Sequence, residues 1–577
     1  QMYAVRSLFV TVLLAALTIV WWRELANVRT WQGLDSYARV GTTFCTILLT
    51  TLFALVVMLS PTVSAGAVCQ DKARGPLFHL FTTDLSDAEI VLGKLMARLL
   101  PLVGLIGCSV PVLFLSTLFG GIELRPLIGS FLILLAIAIL GCSLSLVISV
   151  WAKRTYEVLL LSFTFWAVVL LSNPIIRTID WLWNVDKTRP QGMPFGGMPL
   201  TAPPAEPDTS LLDLVLAPIK HGDTGNVTTA LHILGIAVTL SMLLLVLAIY
   251  RVRRVTVRQA GQSQRRLVPT LSALLRWRGR SWLPRPPLNW NPVLWREWQR
   301  RRATLLTTIT WGVYVLLASL LTARAAFTQP QGRPWWVMSA AEQEFPALVN
   351  ASLVAIGLLL LSVTAVMSLV EERDRGSLDM LLVTPLPAWH ILAAKWLASF
   401  RSVLPLAFFP ALLAYLLSPK GQDPWPNVWR MLGLVLAYGA MITSVGLALA
   451  TWIKQPGRAL TLSVAIYVLV SISWLPVGML THELGFGGSF LALASPFFMV
   501  HELTHAVLHR HDMFVWDAWA SLWTAAYPWL AACLFLLTLK TFERSLGRLT
   551  SGRTPPFRQE STLLGGWDLE PQGSSRT

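Results

Sequence analysis

Long apolar runs, each about the length of a membrane crossing, alternate with short polar segments along most of this chain. A helix needs about 20 mainly apolar residues to cross a bilayer, and about twelve runs meet that length. The predicted spans are Val5–Trp22, Thr42–Thr62, Arg98–Leu118, Leu127–Val150, Val158–Ile176, Leu231–Tyr250, Thr304–Leu321, Leu348–Val370, Ile391–Leu417, Val428–Ile453, Leu460–Met479 and Trp519–Leu539. The pattern therefore predicts an all-α polytopic membrane protein with about 12 transmembrane helices.

The composition supports this prediction. Hydrophobic residues make up 54% of the chain and charged residues 13%, whereas soluble proteins carry about 25% charged residues. A soluble enzyme, a disordered chain and a small disulfide-linked domain are therefore excluded. The five cysteines lie in or beside apolar runs without CxxC spacing, so they predict neither a disulfide framework nor a metal site.

The positive charges indicate how the chain is oriented in the membrane. Its formal charge is +16, and residues 251–302 hold about fourteen arginines against one acid, Glu297. Cytoplasmic loops are enriched in Lys and Arg, so this stretch and both termini are predicted to be cytoplasmic, and no nucleic-acid partner is needed to explain the charge. The predicted parts are a first six-span half (1–250), a basic linker (251–290), a second six-span half (291–545) and a polar tail (546–577).

A sequence repeat relates the two halves. Moving the first half forward by 301 positions places Arg74 on Arg375 and Lys94 on Lys395. About nine identities fall within about thirty positions of this alignment, without a gap. We therefore predict a tandem duplication that gives two six-helix repeats in parallel orientation.

A short segment ahead of the seventh span mixes tryptophan with arginine and begins with an Asn-Pro pair, at residues 291–302. A helix of this composition suits the plane of the membrane interface. The residues expected in this interfacial elbow helix include Asn291, Pro292, Trp295, Arg296 and Glu297. The repeat places its counterpart before Gln1, so we expect the chain to lack a short N-terminal piece.

The polar segment Val370–Ile391 carries the most specific functional pattern. It combines a charged cluster, a short amphipathic helix with Leu378, Leu381 and Leu382 on one face, and a Thr-Pro break. The segment resembles the E-R-x-R-G-T-L-E-x-L-L-x-T-P-L motif of type-2 ABC transporter permeases, which continues with I-L-x-x-K in that family. The matching residues are Glu372, Arg373, Arg375, Gly376, Leu378, Leu381, Leu382, Thr384, Pro385 and Leu386.

The first half carries a weaker copy of this motif. Gln70 and Asp71 stand at the two positions where acids are usual, Ala73 replaces Asp374, and Asp84 replaces Pro385. The resemblance implies that both segments are cytoplasmic coupling helices that seat in clefts of ATPase subunits. The residues expected to couple to the ATPase are Glu371, Glu372, Arg373, Arg375, Gly376, Leu378, Leu381, Thr384 and Pro385 in the second half, and Asp71, Arg74, Gly75, Leu77, Leu80 and Thr83 in the first.

The resemblance also implies a mechanism of alternating access. ATP closes a dimer of separate ATPase subunits, the two coupling segments are drawn together, and the halves rock about a path between them. Leu77 and Leu378 are the expected knobs in the ATPase clefts. The chain has no GxxxxGK[ST] phosphate loop, so no cofactor is expected in it, and ATP and Mg belong to the partner. We therefore predict an exporter permease, surrounded by lipid in a bacterial inner membrane, and not an enzyme.

Two alternatives come from other features of the sequence. A secondary transporter of the parallel-repeat type would place ionisable residues within its spans, and these spans contain almost none. His501, Glu502 and His505 match the HExxH pattern of zinc peptidases. The first half has no equivalent of this motif, so the favoured interpretation is a polar interfacial helix without metal.

Overall fold

The computed structural model describes this chain as a helical bundle. The described residues are 35–74, 76–117, 124–184, 211, 214–216, 226–261, 291–300, 305–327, 340–374, 378, 381, 384, 386–418, 423–453, 455–472, 493–509 and 513–546. The predicted span Val5–Trp22, most of the basic linker and all but the first residue of the polar tail lie outside these ranges.

Seventeen longer helices follow one another within the described residues. They are α1 (Asp35–Ser64), α2 (Cys69–Arg74), α3 (Pro76–Phe81), α4 (Asp87–Thr117), α5 (Leu124–Trp151), α6 (Thr155–Leu170), α7 (Ser172–Asn184), α8 (Asn226–Gly261), α9 (Pro292–Arg300), α10 (Leu305–Phe327), α11 (Ala340–Asp374), α12 (Ala388–Phe400), α13 (Val403–Leu417), α14 (Trp425–Trp452), α15 (Pro456–Ile472), α16 (Pro496–His509) and α17 (Met513–Leu546).

The number and character of these helices confirm an all-α polytopic membrane protein. Among the described residues, nine helices are long and apolar enough to cross a membrane, or ten if the bent pair α6 and α7 forms one span. The predicted eleventh span corresponds to α15, a shorter apolar helix. No strand occurs within the same residues.

The helix ends repeat at the same spacing as the sequence. Helix α5 begins at Leu124 and α14 at Trp425, and both helices have 28 residues. Helices α4 and α12 begin at Asp87 and Ala388, which are also 301 positions apart. The shared offset means that the two halves follow the same local path through this part of the fold.

Three predicted spans differ from the observed helices, and one of them, the ninth (Ile391–Leu417), is divided between α12 and α13. The fifth, Val158–Ile176, was expected to be one straight helix, but α6 and α7 meet at an angle of 61°. Pro174 explains the break, because it has no N–H to donate to the carbonyl of Leu170 and its ring clashes with that turn. The third span begins at Asp87 instead of Arg98, since the polar first turns continue the same helix.

The two halves contact each other through matching helices. Helix α6 of the first half packs on α10 and α11, and α15 of the second half packs on α1. Within the second half, α14 lies so close to α11 that a Cβ added at Gly446 would lie only 2.7 Å from the Cβ of Ala365. Small residues allow this close approach of membrane helices. These contacts place the two motif segments at the same end of the bundle.

Candidate functional site

The candidate site lies where the two motif segments connect consecutive membrane helices. We call residues 69–86 the first loop segment and residues 370–387 the second loop segment. Both segments contain the same turn, in which a threonine side chain binds a carbonyl three residues earlier. Thr83 Oγ1 donates to the oxygen of Leu80 at 2.7 Å, and Thr384 Oγ1 donates to that of Leu381 at 2.5 Å. The two segments therefore share local geometry despite their different sequences.

A lysine from the following helix holds an acid of each loop segment. In the second half, Lys395 Nζ lies 2.9 Å from Glu372 Oε2 and donates to the oxygen of Ser368 at 3.2 Å. In the first half, Lys94 pairs with Asp71 and donates to the oxygen of Ala67 at 3.0 Å. Each of these residues lies 301 positions from its counterpart. We call this arrangement the acid–lysine lock.

A second repeated contact ties each loop segment to the end of the fourth span in its half. Arg373 donates to the carbonyl oxygens of Ile453 at 3.0 Å and Thr451 at 3.2 Å. Lys72 donates to those of Ala152 at 2.9 Å and Val150 at 2.7 Å. The last carbonyls of a helix have no partner within it and carry partial negative charge, so a cation is stabilising there.

The elbow helix α9 extends the lock of the second half. Asn291 caps this helix, because its Oδ1 accepts hydrogen bonds from the N–H groups of Val293 and Leu294, both at 3.0 Å. Glu297 Oε1 then lies 2.8 Å from Lys395 Nζ, and Arg296 Nη2 donates to Glu372 Oε1 at 2.6 Å. The predicted elbow residues therefore form a helix that contacts the second loop segment directly.

Burial differs sharply between the two locks. Lys395 exposes 1% of its side chain and Glu372 exposes 8%, whereas Lys94 exposes 16% and Asp71 exposes 35%. Burying charges is costly unless each charge has a close partner of opposite sign. The second lock meets this condition through the two additional charges of α9, and the first lock remains partly hydrated.

The two leucines expected to insert into a partner are buried in their own half of the protein. Leu77 exposes 0% of its surface and Leu378 exposes 1%. Leu77 packs with apolar residues of α4, α5 and α8, and Leu378 belongs to the core around α11. Their apolar side chains anchor the loop segments to the bundle in this structure, and their insertion into ATPase clefts stays a prediction.

Several predicted coupling residues cannot be assigned a position in this site. Arg375, Gly376, Pro385 and Gly75 lie outside the described residues, and nothing is described of the Arg74 side chain. Glu371 is described, and it pairs with Arg154 of the first half. Leu80 and Thr83 lie in the first loop segment as expected, with Thr83 exposed.

The lysines were not among the residues expected to couple to the ATPase, although Lys395 is the lysine of the I-L-x-x-K continuation of the motif. Lys94 and Lys395 fall on each other at the 301-residue offset and follow the loop segment at the same distance, which was the available signal. The pairing of Lys395 with Glu297 was not predictable from this signal. It brings together residues 98 positions apart in the chain.

The HExxH motif lies on α16, away from the loop segments. His501 Nε2 lies 3.1 Å and His505 Nε2 lies 3.4 Å from the carboxylate of Glu344 on α11. A hydrogen bond to Glu502 raises the pKa of His501, with a further contribution from Glu344, whereas burial lowers it. Within the described residues, no group of three or more His, Cys, Asp or Glu side chains is arranged to hold a metal ion. The arrangement joins α16 to α11 through imidazole–carboxylate contacts.

Comparison with known families places this geometry in context. Residues 291–544 match the family model described as ABC-2 family transporter protein. A comparison with curated proteins finds no match. The matched range runs from the elbow helix through the second loop segment to the end of the last long helix. Residues 291–544 are therefore similar to ABC-2 family transporter proteins, and the chain is an integral membrane protein.

Proposed function

We propose that this chain carries both halves of an export permease and engages a dimer of separate ATPase subunits through its two loop segments. The observation that carries the proposal is the repeated acid–lysine lock, since it fixes both segments to the same end of one helix bundle. A segment that transmits force between proteins must be rigidly attached to the helices that it moves. The two locks and the two carbonyl contacts supply that attachment.

The proposed cycle is alternating access between the halves. The loop segments face the cytoplasm in this proposal. The positive charge of residues 251–302 supports this orientation, because cytoplasmic loops are enriched in Lys and Arg. ATP with Mg binds the partner subunits, their closure draws the segments together, and the locks pass the movement to α4, α11 and α12. Export and a bacterial inner membrane are part of the proposal through the resemblance of the motif to type-2 permeases.

Exposed residues on the loop segments or directly after them are the proposed contact points for the ATPase. Trp389 at the start of α12 exposes 50% of its surface, and Leu85 before α4 exposes 49%. Such large apolar side chains beside a charged segment are typical of protein interfaces. The buried leucines would act indirectly, by holding these exposed positions in place.

The test is purification of the full chain in mild detergent, followed by mass spectrometry of the proteins that accompany it. The wild type is compared with Trp389→Glu and with the double variant Arg375→Glu/Gly376→Trp. Trp425→Glu is the matched control, because Trp425 is also an exposed tryptophan, at 55%. It begins α14, and only the other end of this helix lies near the loop segments. An ATPase that accompanies the wild type and the control but neither loop variant would support the proposal.

Two outcomes would contradict this function. Either no ATPase accompanies a well-folded wild-type chain, or an ATPase binds equally to all variants. Folding is checked by elution volume and melting temperature, so that loss of a partner is not confused with loss of structure.

A further inference from the structure

An ion pair crosses between the two halves at the end that carries the loop segments. Arg154 lies between α5 and α6 of the first half, and it pairs with Glu371 near the end of α11 in the second half. Its guanidinium also donates to the Tyr156 hydroxyl at 3.2 Å, which orients the side chain. Glu371 directly precedes Glu372, so this contact adjoins the buried lock of the second loop segment.

The pair is partly hydrated, unlike the neighbouring lock. Arg154 exposes 33% of its side chain and Glu371 exposes 28%. Ion pairs at such positions contribute little net stability, because water and salt compete with both partners. The contact can therefore be broken and remade at low energetic cost, while the lock beside it stays intact.

The repeat-related contact on the other side of the interface is uncharged. Residues 301 positions away from Glu371 and Arg154 are Gln70 and Gln455. The Gln70 side chain lies against the second half, since a Cβ added at Gly457 would be 2.9 Å from Gln70 Nε2. The two halves thus meet twice at this end, once through an ion pair and once through close neutral packing.

We propose that Arg154 and Glu371 form a reversible latch between the halves, and that the repeat-related contact at Gln70 has no ionic equivalent. The inference rests on the proposed function, because alternating access requires the halves to separate at this end. Force on the second loop segment reaches Glu371 through the adjacent lock, so the latch opens on the side where the segment is most firmly held.

Distance measurement between spin labels on the two halves tests the latch in the full chain without any partner. The labels are placed at His79→Cys and Trp389→Cys, two exposed positions on opposite halves. Cys108 and Cys533 are replaced beforehand, because these two native cysteines are not buried. The wild-type background is expected to show mainly the short distance of the closed arrangement.

The variant Arg154→Glu is expected to raise the ratio of separated to closed molecules up to about fivefold, since an exposed pair contributes up to about 1 kcal/mol. The double variant Arg154→Glu/Glu371→Arg is expected to restore the wild-type distribution. Lys153→Glu is the matched control, because it makes the same charge change one residue earlier at an exposed position. It is expected to leave the distribution unchanged.

The latch is overturned if Arg154→Glu gives the wild-type distribution, or if the double variant fails to restore it. If Arg154→Glu does not fold, the wild type is measured at about 0.05 M and 0.5 M salt, where screening weakens an exposed pair. More separation at high salt supports the latch, and no change contradicts it. The variant Gln70→Glu/Gln455→Arg adds opposite charges at the second contact. It should lower the ratio of separated to closed molecules below that of the wild type.

Failure of the latch and failure of the proposed function are distinguishable. The label distances are measured without an ATPase, whereas the function is tested by ATPase binding to the loop segments. A wild-type chain that binds an ATPase but shows no effect of Arg154→Glu keeps the function and loses the latch. The opposite result keeps the latch and removes the function.

Discussion

The two acid–lysine locks have the same plan and different surroundings. In the second half, Glu372 and Lys395 are almost fully buried and contact two further charges of the elbow helix. In the first half, Asp71 and Lys94 remain partly exposed. A duplicated motif can therefore keep its geometry while the contribution of its ion pair to stability changes. Burial sets this contribution, because a buried charge depends more strongly on its partner than a hydrated one.

The buried lock is less exposed to water and salt than the first lock, but the loss of one of its charges destabilises the protein more. A buried charge that loses its partner cannot be rescued by water, whereas an exposed charge is rehydrated at little cost. The second loop segment is therefore expected to move as one body with α9 and α12. The first loop segment depends more on packing of Leu77 and on the contact of Lys72 with α5.

The largest expected effect comes from removing the lysine of the buried lock. Lys395→Met leaves the carboxylates of Glu297 and Glu372 buried together, and the expected loss of unfolding free energy is about 3 kcal/mol or more. Lys94→Met leaves only the partly exposed Asp71, with an expected loss of about 0–1 kcal/mol. The melting temperature of each variant is measured in detergent. A fluorescent thiol reagent reports unfolding, because it reacts with the buried cysteines Cys45, Cys69 and Cys142 once they become exposed.

The triple variant Lys395→Met/Glu297→Gln/Glu372→Gln provides the control for this comparison. It removes the charges of the two buried carboxylates that lose Lys395, so it should recover part of the stability lost in Lys395→Met. Equal melting temperatures for Lys395→Met and Lys94→Met would mean that burial does not distinguish the two locks.

An intermediate effect is expected at the carbonyl contacts of the fourth spans. Arg373→Ala removes both hydrogen bonds to the end of α14 and should cost about 1–2 kcal/mol, as for other cations at helix ends. Arg373→Lys should lose less, because Lys72 makes the same two contacts in the first half. Melting temperatures again measure the effect. If Lys at position 373 is no better than Ala, the two contacts are not equivalent.

The smallest expected effect concerns pH at the contact between α16 and α11. Since the pKa of His501 is raised, mainly by its hydrogen bond to Glu502, its charged form stabilises the folded state. This contribution is fully present below the ordinary histidine pKa of about 6.5 and is lost as pH rises through the higher folded value. The wild type should therefore lose more stability than His501→Gln between pH 5.5 and 8.5. The stability of Glu502→Gln should likewise depend less on pH than that of the wild type. If stability depends on pH in both variants as it does in the wild type, His501 is not the source of this dependence.

Much of the fold was predictable, because long apolar runs in a membrane have few alternatives to helices. The predicted spans correspond to helices throughout the described residues, and the elbow helix begins at Pro292 as the Asn-Pro pair indicates. The bend between α6 and α7 was missed. The run Val158–Ile176 is apolar on both sides of the break, so hydropathy alone gives no signal there, although Pro174 does.

The site was predictable only in part, for a different reason. The motif located both loop segments, and the repeat aligned Lys94 with Lys395, but neither indicated which acid each lysine contacts. The resemblance implied that Leu77 and Leu378 insert into ATPase clefts, and the motif gave no sign that both are buried in this structure. Their burial depends on apolar residues from helices far away in the chain, which a local pattern does not include.

The sequence by itself determined that this protein is a helical membrane protein, that its two halves repeat, and where its two motif segments lie. These properties depend on local chemistry: the length of apolar runs, the positions of Pro and Asn, and the spacing of charged residues. Only the tertiary structure decided that one lock is buried and the other hydrated, and that Arg154 pairs with Glu371 across the halves. Burial and pairing depend on which distant helices pack together, and in this protein that packing gives two similar segments different energetic surroundings.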